Sequence, residues 1–442
     1  MSAKAPQSDR WVGALPDRYR AGRLSHVATA WTSNVDKHSV DGELSVRLCN
    51  YTDVYKNAAI GADLEFMSAT ATPEQVERFR LRRGDTVITK DSETPDDIGI
   101  PSYVEYEADD LVCGYHLAIV RPQPDRVDPR FLFWVMGSRP VLGQWSVLAA
   151  GVTRVGIRST DLTKVSIPLP PLDEQRAIAD FLDEQTSRID TLIDKQNQLV
   201  TALRERRAAV TDHLVWSGLD TTLPTSSTGI DTAPDAPMHW ARTRAKVLFF
   251  ERDATSTDGS EELLTVSHLT GITPRSQKNV TMIEAESHEG YRLVEAGDLV
   301  INTMWAWMGA LGVSPYAGMV SPAYGVYGFR DPSGVDPGYF DGLVRSRQYV
   351  TEMTRHSRGI WSSRLRLYPD AFLRLPIVVP PLAEQRAIAA ELTAQTTRID
   401  KIIEKVENHI GLAKERRAAL ITAAVTGEID VRTAARARQG AA

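Results

Sequence analysis

Largely apolar positions recur at alternating steps of four and three through Ile178, Leu182, Gln185, Ile189, Leu192, Gln196, Leu199, Leu203, Arg206 and Val210. That heptad spacing lays them along one stripe of a helix. The same register returns at Ile388, Leu392, Gln395, Ile399, Ile402, Val406, His409, Ala413, Arg416 and Leu420. Prolines precede both runs, where a missing N–H is harmless, and Gly218 and Gly427 follow the last periodic positions as stops. Each pattern predicts a helix of about 45 residues, roughly 65 Å long at 1.5 Å per residue. A stripe of that length needs a partner, and the two stripes match each other. Antiparallel pairing would put the globular parts of the chain at opposite ends of one rod, with the polar seam positions Gln185 and Gln395 fixing register. In the alternative, each helix packs only on its own neighbouring domain, but helices of that kind seldom exceed about 20 residues.

Elsewhere the pattern is shorter. Gly84-Asp85 opens the run Thr86 to Lys90, and Gly297-Asp298 opens Leu299 to Thr303, each a turn feeding a strand. Asp128-Pro129 precedes Phe131, Phe133 and Trp134, and Asp336-Pro337 precedes Tyr339 and Phe340, so each pair starts a short helix. Gly151, Arg154 and Arg158 answer Gly359, Ser362 and Arg366 at an offset of 208. The stretch 218–236 is rich in Thr, Ser, Pro and Asp without apolar periodicity and reads as an exposed linker. The expected division is a globular unit at 1–167, a long helix at 168–217, the linker, a second globular unit at 237–377, a second long helix at 378–426 and a tail at 427–442. The class is α+β, with strands outnumbering helices in two mixed units.

The duplication is literal in the helices. Residues 170–209 recur without insertion at 380–419, an offset of 210, with roughly half the aligned positions identical. Pro-Pro-Leu, Glu-Gln-Arg-Ala-Ile-Ala, Arg-Ile-Asp and Glu-Arg-Arg-Ala-Ala appear in both copies. A period this long is no solenoid unit of about 20 to 50 residues. It implies two globular units, each followed by the same element, and a pseudo-twofold architecture able to face a two-part ligand.

Composition narrows the function. A formal net charge of −6 argues against a surface that is basic all over, so contact with nucleic acid must be local or shared with a partner. Locally the balance reverses. From Arg121 to Lys164 seven basic residues face three acidic ones, and from Gly342 to Pro376 seven face two. Arginine bonds phosphate oxygens and reads guanine edges bidentately. The candidate DNA contacts are therefore Arg154 and Arg158 in the first unit, and Arg358, Arg364 and Arg366 with Trp361 in the second. Trp305 and Trp307 lie in a glycine-bounded loop just past a predicted strand and suit a flat ligand; Lys90, Ser92 and Thr94 follow the equivalent strand. For any one arginine the competing reading is a solvated helix face, and for any tryptophan it is a place in the core.

Catalytic signatures are missing from the sequence. There is no phosphate-binding or dinucleotide-type glycine loop, no His-Glu-x-x-His and no Cys-x-x-Cys. Ser321-Pro322-Ala323-Tyr324 departs from the Asn/Asp-Pro-Pro-Tyr loop of amino methyltransferases at two positions, and no cofactor strand precedes it. Neither a metal site nor a catalytic site is expected. Cys49 and Cys113 read as buried free thiols in a reducing, cytoplasmic setting, and no apolar run approaches 18 residues.

The duplicated Pro-Pro-Leu-x-Glu-Gln-x-x-Ile-Ala at the head of a long helix, each copy preceded by a variable domain, resembles the specificity subunit of type I restriction-modification systems. So does the segment Arg47 to Tyr55, Arg-Leu-Cys-Asn-Tyr-Thr-Asp-Val-Tyr, which the second unit lacks. The resemblance implies two target recognition domains, each reading half of a split, asymmetric DNA site. It implies helices that form an antiparallel coiled coil, act as a ruler and dock methyltransferase subunits, two in number, that bind S-adenosylmethionine and methylate adenine. It also implies a restriction-translocase partner using ATP and magnesium, and no cofactor in this chain. Helix pairing and partner docking then fall to Glu174, Gln175, Ile178, Leu182, Gln185 and Ile189, and to Glu384, Gln385, Ile388, Leu392, Gln395 and Ile399. The competing class is a coiled-coil scaffold that organises protein partners without touching DNA; a self-contained methyltransferase is disfavoured by the missing cofactor motif.

Overall fold

A computed structural model describes residues 11–278, 287–360 and 365–432. The chain forms two compact units, one of residues 1–196 with 408–442 and one of residues 197–407. Both divisions fall inside the long helices, which run Leu172–Ser217 and Leu382–Thr426, 46 and 45 residues. Each unit therefore holds the opening half of one helix and the closing half of the other.

Those halves pair antiparallel within each unit. In the first, Asp190 accepts from Arg417 Nε at 2.8 Å; in the second, Asp400 accepts from Arg207 Nε at 2.8 Å. The pairs are images of each other under the 210-residue repeat. The seam is not quite the expected one. Ile189, Gln196, Leu203 and Val210 do line it, but between them the inward positions are Thr186, Ile193 and Val200, while Leu192 and Leu199 are exposed. The second helix shows the same shift: Ile410 is buried where His409 was expected, and Ile402 is exposed while Ile403 turns inward. Adjacent apolar pairs such as Leu192-Ile193 support either phase, and packing chose the β-branched residue at two of these positions. Gln395 does not bridge to the opposite helix: its Nε2 donates to Glu391 one turn back, and Gln185 is half-buried. The arginine–aspartate pairs mark register instead.

The first unit is built on a five-stranded sheet in the order Ala28–Thr32, Leu117–Pro122, Thr86–Thr89, Pro101–Val104, Ala59–Ile60, antiparallel except for the last pair. A three-stranded sheet of Met67–Ala71, Leu44–Cys49 and Leu111–Cys113 lies in the same unit. Cys49 and Cys113 are free, fully buried and opposite each other on its parallel pair, and burial pushes both thiols up. The second unit repeats the first four strands of that order as Phe249–Glu251, Gly325–Phe329, Leu299–Ile301 and Leu311–Val313. The two predicted turn-strand units are thus the central strands. Gly84 and Gly297 take φ of +93° and +99°, and the carboxylates of buried Asp85 and Asp298 accept from Arg82 N and Glu295 N at 2.8 Å to close the turns. The expected short helices are Pro129–Met136 and Pro337–Val344, capped by Asp128 and Asp336.

One expectation fails locally. The 218–236 stretch is no bare linker, because Thr225–Ser227 pairs with Asp235–Pro237 and Ile230, Ala233 and Ala236 are buried in the second unit's core. Three apolar residues, two of them only alanine, anchor a hairpin among polar neighbours, too slight a signal to announce it.

Each core includes both half-helices. Ile178, Ala179 and Leu182 join Ile421, Ala424 and Val425 in the first; Leu214, Val215 and Trp216 join Ile388 and Leu392 in the second. Gly427 and Gly218 end the helices at φ of +78° and +73°. A Cβ on Gly427 would lie 2.9 Å from the Tyr19 ring, and one on Gly218 3.0 Å from the Trp240 ring, so both stops also permit close approach.

Candidate nucleic-acid interface

The Glu-Gln pair at the head of each helix clamps the preceding domain. Gln175 accepts from Asp128 N at 2.8 Å and donates to Pro170 O at 2.8 Å. Gln385 accepts from Asp336 N at 2.8 Å and donates to Pro380 O at 2.9 Å. Glu174 takes Arg18 Nε at 2.8 Å and Tyr19 OH at 3.0 Å; Glu384 takes Trp240 Nε1 at 2.8 Å and meets His239 Nε2 at 2.6 Å. The Arg18 guanidinium holds the Glu174 carboxyl below its ordinary value. These four residues, expected to serve helix pairing or partner docking, are engaged inside their own units, as are Ile178, Leu182, Ile388 and Leu392. Ile189 and Ile399 remain in the helix seam.

Fixing the sheet against the helices in this way leaves one end of it to loops. In the first unit Thr86–Thr89 runs out at Lys90, whose N–H bonds His116 O at 3.0 Å. Asp91–Ser92 pairs with Val155–Gly156, and Ile157 N bonds Lys90 O at 2.9 Å. The fold thus brings Lys90, Ser92 and Thr94 together with the hairpin that carries Arg154, with Arg158 just beyond it. Their availability differs. Lys90 Nζ is bound to Asp91 at 2.6 Å and lies over the Tyr115 ring at 5.0 Å, while Asp91 also meets His116 Nδ1 at 2.8 Å. Ser92 is buried; Thr94, Arg154 and Arg158 are exposed. Partnered and covered, Lys90 and Ser92 shape the loop, and the other three present themselves to solvent.

Sequence reasoning gave no site role to Tyr51, Tyr55, Tyr115 or His116. Asn50 caps the helix Tyr51–Lys56 through a reciprocal bond with Asp53, and Tyr51 stacks on Tyr55 with centroids 5.4 Å apart. Tyr55 OH bonds Asp97 at 3.0 Å. Burial and the Asp97 charge push the Tyr51 hydroxyl up, while Arg154 and a hydrogen bond with Ser92 oppose the shift, which places Tyr51 among the candidates. The signal was the i, i+4 spacing of the two tyrosines behind an Asn-x-x-Asp cap.

The second unit builds the same place differently. Leu299–Ile301 runs into the loop Asn302 to Gly309, and Leu367 N bonds Thr303 O at 3.0 Å. Arg358 and Arg366 exchange backbone hydrogen bonds at 2.8 Å and are both exposed. Trp305 is exposed, whereas Trp307 is half-buried with its indole donating to Met304 O at 3.0 Å. Trp361 and Arg364 lie outside the described residues. The offset of 208 holds only on the near side of this hairpin. Ala150 with Gly156 corresponds to Arg358 with Arg366, and the next bonds equate Ile157 with Leu367. The second hairpin is two residues longer, so Arg158 answers Tyr368 and not Arg366.

Known proteins share both sequence and architecture with this chain. The model of the type I restriction modification DNA specificity domain matches residues 50–202. A putative type I restriction enzyme MjaX specificity subunit of Methanocaldococcus jannaschii is 23% identical over 366 residues, 81% of this chain and 82% of that protein. The chain is thus similar, along most of its length, to specificity subunits of type I restriction-modification systems. A chain from a study of complex assembly and conformational transition of the type I R-M system has the same fold, with a TM-score of 0.64 and 16% identity over 94% of this chain and all of that one. The HsdS subunit from Thermoanaerobacter tengcongensis superposes at 0.46, also with 16% identity. Specificity subunits are generally non-catalytic. Among the described residues no cluster of His, Cys, Asp and Glu could hold a metal ion, and no helix is long and apolar enough to cross a membrane.

Proposed function

We propose that this chain is a type I specificity subunit that reads a bipartite, asymmetric DNA target, one half with each unit, while its paired helices set the spacing and dock two methyltransferase subunits. One observation carries this reading: two units fastened to the helices by the same bonds carry unlike loops at the same end of the same sheet. Shared scaffolding with unlike loops suits two different half-sites. The base-facing set is Thr94, Arg154 and Arg158 in the first unit and Trp305, Arg358 and Arg366 in the second, with Lys90, Ser92 and Trp307 shaping the loops beneath; Trp361 and Arg364 remain candidates from the sequence alone. The exposed apolar residues Leu192, Leu199, Ile402 and Leu412 of the helices are surface a docked methyltransferase would cover. Adenine methylation with S-adenosylmethionine belongs to that partner, and ATP and magnesium to a restriction-translocase. With a net charge of −6, this chain leaves much of the phosphate neutralisation to the assembly. Its setting is then the cytoplasm.

The test is a matched heptad inserted after Gln198 and after Asn408, midway between the two arginine–aspartate pairs. Seven residues keep the seam in phase and add about 10 Å at 1.5 Å per residue. At about 3.4 Å per base pair the spacer between methylated half-sites grows by about three, read by methylome sequencing of a host carrying the whole complex. An unchanged spacer refutes the ruler. Exchanging residues 237–377 for another unit should alter one half of the motif only; a change in both halves refutes modular reading.

A further inference from the structure

Resting on that reading, one feature of the second unit goes further and concerns what its half-site contains. Trp305 is 50% exposed and Met308, beside it, 37%. The loop presenting them is held on every side. Trp305 N donates to Asn302 O at 3.0 Å, and its own carbonyl accepts from Met308 N and Ala310 N at 3.0 and 3.1 Å. Thr303 Oγ1 donates to Ala323 O at 2.8 Å, and Asn302 Nδ2 donates to Tyr324 OH at 3.1 Å. Gly309 closes the turn at φ +83°. A rigid loop that holds a large aromatic out in water forgoes the burial that usually draws tryptophan inward.

The surroundings say what covers it. Leu367 N bonds Thr303 O at the start of the loop, which brings up the neighbouring backbone of Arg366 and its bridge partner Arg358; both arginines are exposed, and Arg358 also pairs with Asp370 at 3.5 Å. An exposed apolar tip with exposed arginines on the adjoining segment suits a duplex groove, with phosphates meeting the arginines and an apolar group on the base edges meeting the ring. In the major groove that apolar group is the 5-methyl of thymine. The equivalent loop of the first unit, Lys90 to Ile100, holds Asp91, Ser92, Glu93 and Thr94 near its start and exposes no large apolar side chain. We infer that Trp305, with Met308, reads a thymine methyl in the half-site of the second unit, a contact for which the equivalent loop of the first unit has no side chain.

The experiment uses the whole complex with its methyltransferase, on duplexes carrying the methylated motif found by sequencing. The unit exchange described above identifies which half belongs to residues 237–377. Replacing each thymine of that half in turn by deoxyuridine removes only a methyl. Burial of one such group is worth about 0.8 kcal/mol, so one replacement should weaken binding about fourfold, and Trp305→Ala should abolish that penalty. Deoxyuridine in the other half should leave affinity unchanged wherever it is read by the first unit's polar loop. A half-site without any thymine, a wild-type complex indifferent to deoxyuridine in that half, or a Trp305→Ala complex that keeps the full penalty overturns the inference. Each of those results leaves the specificity reading standing, whereas a wild-type complex with no sequence-specific binding removes the reading itself. Trp305→Phe, which keeps an apolar ring, should retain part of the penalty.

Discussion

The two units differ least where they grip the helices and most where they end in loops. Gln175 and Gln385 make the same pair of bonds, on equivalent backbone groups, at nearly the same distances. At the far end of the equivalent strands, one unit offers Lys90, Asp91 and Ser92 and the other Asn302, Trp305 and Met308. The grip works through backbone groups that any domain of this shape provides, so its side chains had no room to vary. A loop that rests on a finished sheet can change its chemistry without disturbing anything below it.

The strongest way to break this comparison is to remove the grip from one unit at a time. Gln385→Leu leaves Asp336 N–H and Pro380 C=O without their side-chain partner in a buried place, and Gln175→Leu does the same to Asp128 N–H and Pro170 C=O. Each buried group stripped of its bond costs about 1–3 kcal/mol, so each variant should lose about 2–6 kcal/mol of local stability. Hydrogen exchange resolves the units separately. Equal losses, each confined to its own unit, are expected; a loss in only one would mean that the grips resemble each other in geometry but not in energy.

The same contrast explains what could be read in advance. The helices were legible because heptads, prolines and glycine stops agree over some 45 residues and occur twice. Their phase was not, since Leu192-Ile193 and Leu199-Val200 each offer two neighbouring apolar positions. Gly-Asp before a strand located both central strands, because an aspartate that caps its own turn leaves a local mark. The Glu-Gln pairs showed their importance by repetition but not their role, because Asp128 and Asp336 lie 47 and 49 residues away along the chain. In the candidate site, Lys90 and Ser92 do follow the central strand, yet their freedom depends on Asp91, Tyr115 and His116. A charge count cannot show that a lysine is already paired.

A smaller effect should separate the two glutamates. The Glu174 side chain is 2% exposed and that of Glu384 is 40%. Glu174→Gln weakens charge-assisted bonds in a covered place and should cost about 1.5–3 kcal/mol, whereas Glu384→Gln should cost under about 1 kcal/mol. The pH dependence gives an independent check. Arg18 lowers the folded carboxyl of Glu174 beneath the ordinary 4.5, so its contribution is complete above that value and is lost as pH falls through the folded one. Denaturation of the first unit between about pH 5 and pH 3 should be steeper in the wild type than in Glu174→Gln. Parallel curves would show that the carboxylate does not set this acid limb.

The smallest difference lies in the helix pair itself. Arg417 and Arg207 make equivalent bonds to Asp190 and Asp400, but Arg417 also lies over the Trp134 ring, 5.8 Å from its centroid. The second unit has Gly342 at the place of Trp134, where a Cβ would come within 2.6 Å of Leu392, so its short helix packs too closely for a ring. Each ion pair, being partly exposed, should contribute about 0.3–1 kcal/mol in a double-mutant cycle. With Asp190 and Asp400 both replaced by alanine the ion pairs are gone, and what still separates Arg417→Ala from Arg207→Ala is the ring contact. That residue of difference should be about 0.5–1 kcal/mol, larger for Arg417, by urea denaturation followed in each unit. If the two arginines cost the same in that background, the cation over Trp134 adds nothing, and the helix pair is as symmetric in energy as its repeat is in sequence.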